Sequence, residues 1–247
     1  MNQENSVQVR LGRTYRNLKN ILAKGTKDIF TEVEIETYTI CNRKCSYCPN
    51  SKFSRGNHMM EVSLFKKIID DLKKIKYNGD ITPGFYNEPF LDGRLPELLK
   101  YTKRKLPDSR IVIFSNGDFL DKELFDEIKK YVDSIDITDH GNLNPNIPED
   151  KRIKVKKLEH FSSRGGLVAV NNKITKEKCY QPTRMLTITY NGDVIVCCND
   201  YFGKHIFGNL KKENIMEVWN KKSFISTRKR LREGIPIFNI CKECFGN

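Results

Sequence analysis

Three cysteines, Cys41, Cys45 and Cys48, constrain this 247-residue chain more than any other feature. They stand in the run Cys-Asn-Arg-Lys-Cys-Ser-Tyr-Cys, a CxxxCxxC spacing closed by Pro49. An alternating apolar segment (Val33, Ile35, Tyr38, Ile40) leads straight into them. The pattern predicts a strand that ends in a metal-binding loop. Three thiolates can hold three irons of a [4Fe–4S] cube and leave the fourth iron without a protein ligand. An open coordination position is what separates a catalytic metal site from a structural one. A zinc loop or a disulfide staple is the alternative. Zinc asks for four ligands, and His58, ten residues past Cys48, is too far along the chain to be an obvious fourth.

Composition narrows the setting. No stretch approaches the ~20 apolar residues of a membrane span, and the segment bearing Arg10, Arg13 and Arg16 has no apolar signal region. Eight cysteines without an export signal read as metal ligands rather than disulfides. A cytoplasmic, oxygen-sensitive protein with no membrane partner is expected. The net charge is +13, from 44 Lys and Arg against 31 acids. Such a charge can attract nucleic acid or a phosphorylated substrate. The lysines are spread along the chain (Lys66, Lys67, Lys73, Lys74, Lys129, Lys130, Lys211, Lys212), with no basic strip carrying aromatics. That favours solvated faces and argues against nucleic acid.

Hydrophobic spacing predicts alternating strands and helices. Leu11, Tyr15, Leu18 and Leu22 suggest an N-terminal helix over 7–24. Strands are expected at 32–40, 80–87, 111–114 and 134–138, and helices at 62–76, 94–105 and about 120–131. This order implies a parallel sheet, here an α/β fold of the partial (β/α)6 TIM-like barrel kind, with function at the strand C-terminal ends. The cysteine loop, the turn Tyr86-Asn87-Glu88-Pro89 and the turn Ser115-Asn116-Gly117 all sit at such ends. After residue 175 the pattern changes to a β-hairpin about Asn191-Gly192, then helices at 213–219 and 221–233. The expected division is a helical extension over 1–30, a barrel over 31–174 and a small appendage over 175–247.

The CxxxCxxC spacing, with Tyr47 before its last cysteine, resembles the radical S-adenosylmethionine (SAM) superfamily. The resemblance implies that the open iron chelates SAM and that one electron splits it, giving a 5′-deoxyadenosyl radical. It implies that Tyr47 packs near the adenine and that the Asn87–Glu88 turn receives the SAM ammonium. Asn87 stands there in place of the family's Gly. Ser115 and Asn116 would lie near the ribose, and Thr138 or His140 would also face the cofactor.

A second set comprises Cys179, Cys197-Cys198 and Cys241-x-x-Cys244. Four cysteines suit either a closed cube or tetrahedral zinc. The spacing from Gly192 to Cys197, and Phe207-Gly208-Asn209-Leu210 before a helix with Trp219, resemble the twitch/SPASM auxiliary-cluster domain. That resemblance implies a second [4Fe–4S] cluster on Cys179, Cys197, Cys241 and Cys244. Cys198 is left over, as a small buried side chain or as a hydrogen-atom donor of the kind radical SAM epimerases use. Ser162-Ser163-Arg164-Gly165-Gly166, Cys-Pro-Asn-Ser at 48–51 and Ser-Asn-Gly-Asp-Phe-Leu at 115–120 resemble the radical SAM dehydrogenases of aminoglycoside biosynthesis. Arg164 would then contact a substrate hydroxyl, unless it only bonds local carbonyls. Gly84 and Cys198-Asn199 depart from that group, which carries bulkier or acidic side chains there.

The leading expectation is oxidation of a secondary alcohol to a ketone on a sugar- or cyclitol-like substrate, free, phosphorylated or nucleotide-linked. Electrons would come from a flavodoxin- or ferredoxin-like donor. Three alternatives stay open: epimerisation through Cys198, modification of a ribosomal peptide, and zinc-based nucleic-acid binding.

Overall fold

The computed structural model describes residues 29–157, 162–169 and 177–246. The helix expected over 7–24 and the expected boundary at 174/175 lie outside them. One eight-stranded sheet carries the fold, in the order β5-β4-β3-β2-β1-β6-β7-β8. Its strands are β1 (Glu32–Ile35), β2 (Asp80–Thr82), β3 (Arg110–Ser115), β4 (Ser134–Asp139), β5 (Ile153–Lys157), β6 (Met185–Ile188), β7 (Asp193–Ile195) and β8 (Ile206–Asn209). All neighbours from β5 across to β6 are parallel, and β7 and β8 continue antiparallel. Six parallel strands form the partial barrel. Two antiparallel ones carry the sheet on into the cysteine-bearing C-terminal part.

Helices α1 (Val62–Lys74), α2 (Leu95–Lys105) and α3 (Lys122–Ile128) connect the first four strands. In α1, Leu64, Phe65, Ile68, Ile69 and Leu72 make one apolar stripe, as expected for a helix lying on a sheet. The stripe packs on Val33 and Ile35 of β1 and Leu186 and Ile188 of β6. After α4 (Gln181–Arg184), helices α5 (Ile215–Trp219), α6 (Lys222–Arg232) and α7 (Asn239–Phe245) complete the chain. Asn214 and Glu217 form a reciprocal capping box that fixes the start of α5. This sets Trp219 into the core between Phe30 and Phe224. A second core joins β3 and β4 to α2 and α3, and a third gathers Val196, Leu231 and Cys241.

The strands are shorter than their apolar alternation suggests. β1 ends at Ile35 and β2 at Thr82, because beyond them the chain turns into the loops of the site. β6 is both the first arm of the hairpin and a strand parallel to β1. The hairpin loop also differs from a two-residue Asn-Gly turn. Thr189 N bonds Asp193 O, Gly192 N bonds Thr189 O, and Gly192 has φ +90. This is a three-residue loop closed by a left-handed glycine.

Candidate functional site

The ends of β1 to β4 and the C-terminal part enclose a cavity of about 360 Å³. All three cysteines of the first set line it. So do Tyr47, Asn87, Glu88, Ser115, Asn116, His140, Arg164 and Cys198, brought together from positions up to 157 residues apart. A second cavity of about 160 Å³ is lined by Cys179, Cys197, Cys198, Cys241 and Cys244, with Arg164. Cys198 and Arg164 thus belong to the walls of both.

The cysteine loop is locked from three sides. Glu88 N donates to Ile40 O at 2.9 Å, tying the end of β1 to the turn after β2. Arg43 forms a two-pronged ion pair with Asp118, with Nε–Oδ2 at 2.7 Å. Asn42 donates to Asp118 Oδ2 at 2.6 Å and accepts from Asn116 Nδ2 at 2.8 Å. On the far side Asn50 donates to Tyr86 O at 2.6 Å and accepts from the Tyr201 hydroxyl at 2.8 Å. Arg55 pairs with Glu36 and lies 4.9 Å from the ring centroids of both Phe85 and Tyr201. The C-terminal part is thereby stitched to the loop. Asn42, Arg43, Arg55, Asp118 and Tyr201 carry no chemistry of their own that a motif could reveal. Their roles follow from contacts spanning 19 to 151 residues.

Glu88 is 1 % exposed and its carboxylate is already engaged. Oε1 accepts from Ser115 Oγ (2.7 Å) and Phe90 N (3.2 Å), and Oε2 from Asn116 N (2.8 Å). Burial raises its pKa, and these bonds hold it partly down. It orders the turns after β2 and β3. Asn87 folds back so that Oδ1 accepts from Phe85 N at 2.9 Å. His140 Nδ1 is 3.0 Å from the Tyr47 hydroxyl and 3.7 Å from Cys45 Sγ, and its ring lies parallel to that of Tyr47. Burial lowers the His140 pKa and Arg43 lowers it further, so the neutral imidazole is favoured.

Arg164 has a left-handed backbone, φ +49, followed by Gly165 at φ +67 and Gly166 at φ +89. A non-glycine residue rarely adopts this shape. Here it carries the guanidinium over the Tyr86 ring, 5.7 Å from its centroid. Glu34, which no motif marks, is also in the wall.

The donor set fits iron–sulfur clusters. The first three cysteines line one hollow and Cys179, Cys197, Cys241 and Cys244 line a second, an arrangement that can hold the corners of two cubes. Burial pushes Cys41 and Cys241 up to about 11, and raises Cys48 and Cys197. Loading must therefore expel protons. The first cavity also suits a small polar guest, since Glu34 Oε2, the Tyr86 hydroxyl and Asn87 Nδ2 are buried without a hydrogen-bond partner.

Known proteins match this arrangement. The Radical SAM superfamily profile matches residues 35–164, and the SPASM iron–sulfur cluster-binding domain profile matches 179–245. The chain is 30% identical over 233 residues to an S-adenosyl-L-methionine-dependent 2-deoxy-scyllo-inosamine dehydrogenase of Niallia circulans, covering 87% of this chain and 93% of the relative. Among solved structures it is similar to BtrN in complex with AdoMet and 2-DOIA, with TM-score 0.80, 27% identity, and 87% and 92% of the two chains covered. The open conformation of BtrN matches over the same shares with TM-score 0.73.

Proposed function

The chain belongs to the radical SAM superfamily, and on that premise we propose that it oxidises a secondary alcohol of a cyclitol or related sugar-like molecule to a ketone. It is an AdoMet-dependent oxidoreductase whose cofactors are S-adenosylmethionine and two iron–sulfur clusters. When bound, these groups supply a carbon-centred radical that removes a hydrogen atom and an acceptor for one electron.

In this reading Cys41, Cys45 and Cys48 hold the first cluster, and Cys179, Cys197, Cys241 and Cys244 the second. Glu88 fixes Ser115 and Asn116 so that the polar ends of β2 and β3 meet the cofactor without rearranging. Tyr47 and His140 flank it on the cysteine-loop side. Arg164 holds a substrate oxygen, and its guanidinium stays protonated throughout. The clasp of Arg43 on Asp118 and the aromatic packing about Arg55 keep water out of the cavity.

The observation that carries the proposal is the wall shared by the two cavities. A substrate touching Arg164 and Cys198 lies between the two cysteine sets, where it can lose a hydrogen atom on one side and an electron on the other. A return of hydrogen from Cys198 would need no second cluster beside the substrate, so oxidation is the simpler use of this layout. We place the division between barrel and appendage at 174/175, the electron donor among flavodoxins or ferredoxins, and the protein in the cytoplasm. Anaerobic enzyme given reductant, SAM and a panel of cyclitols and amino-cyclitols should form one ketone per 5′-deoxyadenosine. Sustained 5′-deoxyadenosine release with incorporation of solvent deuterium into unoxidised substrate would point to epimerisation instead.

A further inference from the structure

The innermost strand offers an acid that none of the assigned roles uses. Along Glu32-Val33-Glu34-Ile35-Glu36, Val33 and Ile35 pack outward on α1. Alternation turns the three glutamates to the other face, which in a barrel is the interior. Two of them are neutralised. Glu32 meets Arg184 at 3.3 Å, and Glu36 pairs with Arg55 and accepts from Tyr190 N at 3.2 Å. Glu34 makes no ion pair among the described residues, and its Oε2 has no hydrogen-bond partner. It sits in register between Thr82 of β2 and Thr187 of β6 and lines the cavity with Arg164, Tyr86 and Cys198.

A buried carboxyl oxygen with no partner costs stability. Thr187 on the neighbouring strand and Arg164 across the cavity offset part of that cost, and a hydroxyl reaching Oε2 would offset more. Oxidising a carbinol also requires a proton acceptor. After the hydrogen atom leaves carbon, the O–H bond must break heterolytically. The other groups in the wall are poor acceptors. Both Glu88 oxygens are taken, Arg164 cannot accept a proton, and burial raises the pKa of the Tyr47 and Tyr86 hydroxyls. His140 lies beside Cys45, on the cysteine-loop side.

On the reading that this cavity oxidises a polyol, which the inference rests on, we infer that Glu34 is a catalytic residue whose Oε2 accepts the hydrogen bond, and then the proton, of the hydroxyl being oxidised. The proton passes to Oε2 and the O–H electron pair stays on oxygen. One electron then leaves the substrate for an acceptor of the iron–sulfur class, and C=O is complete. The carboxyl returns its proton to solvent with product release. Burial brings the Glu34 carboxyl up to about 8, close to what a base working near neutral pH needs. Thr187 and Arg164 draw it down, and Glu36 and Glu32 push it up.

The test uses cluster-loaded Glu34→Gln with reductant, SAM and 2-deoxy-scyllo-inosamine deuterated at its carbinol carbons. The expected result is uncoupling. Deuterium still moves into 5′-deoxyadenosine, while ketone per 5′-deoxyadenosine falls at least tenfold and a substrate-centred radical builds up in freeze-quenched EPR spectra. Glu34→Asp, which keeps the carboxyl, should recover part of the ratio and guards against a Gln variant that fails to load iron. A wild-type ketone ratio in Glu34→Gln overturns the inference. So does loss of label transfer together with ketone while SAM binding is kept, because that marks a binding role only. If the wild type transfers label but makes no ketone, the oxidation reading itself fails, and the inference falls with it.

Discussion

An acid kept buried for catalysis should leave a trace in stability, and Glu34 allows that trace to be sized. Its carboxyl ionises near 4.5 when unfolded and near 8 in the folded chain, mainly because burial strips it of water. Between these values the folded protein binds a proton that the unfolded chain has released. Stability from this group is therefore fully present below about pH 4.5, declines as pH rises through the window, and is gone above about 8. At ~1.4 kcal/mol per pH unit, the loss is on the order of 3–5 kcal/mol at pH 9.

Glu34→Gln removes the titrating group and keeps the shape. The variant and the wild type should then melt together near pH 5 and diverge above it, with the variant the more stable. For a chain of this size the gap at pH 9 is roughly 6–20 °C. Calorimetric melts of cluster-loaded, SAM-free protein at pH 5, 7 and 9, at one scan rate because such unfolding is irreversible, would measure it. Every other titrating group is common to both proteins and cancels in the difference. Parallel melting curves across the range would refute the reasoning, since they would mean that Glu34 is solvated or paired in the folded state. Removing Arg164, which lowers the Glu34 pKa, should widen the gap.

Three further outcomes follow from the site and the core. Cys45→Ala should lower iron from about eight to about four per chain, read by iron and sulfide analysis after anaerobic purification, with the second cysteine set still loaded. Glu88→Gln sets an amide against donors from Ser115, Asn116 and Phe90. It should cost about 1–3 kcal/mol of stability and weaken SAM binding at least tenfold by titration calorimetry. Trp219→Ala, at a site with 0% exposure, should cost about 3–5 kcal/mol, measured by thermal melts, while both clusters still load.

The elements most legible in the sequence were those set by short-range chemistry. Cys41, Cys45 and Cys48 lie on one loop, so their spacing alone points to a shared metal site. The turns at Glu88 and Ser115 could be placed because strand ends of a parallel sheet face one rim. What stayed hidden depends on long-range pairing. The partnership of Asn50 with Tyr201 spans 151 residues, and the clasp of Arg43 on Asp118 spans 75. The double role of β6 could not be foreseen, because a hairpin arm and a barrel strand have the same apolar run until its neighbour β1 is known.

Glu34 was illegible for a different reason. In an open sheet with one wet face, Glu-Val-Glu-Ile-Glu reads as a half-buried strand whose acids point to water. Closing the sheet toward a barrel turns that face into the interior, where each acid must find a partner or remain costly. Arg184 and Arg55 answer for two of the three, and the third faces the cavity lined by the first cysteine set and Arg164. A carboxyl oxygen the fold leaves without a partner, in a cavity where a substrate can supply one, is better explained by chemistry than by folding. The stability measurement and the uncoupling experiment therefore probe one fact from two sides: an oxygen left unpaired until a hydroxyl arrives.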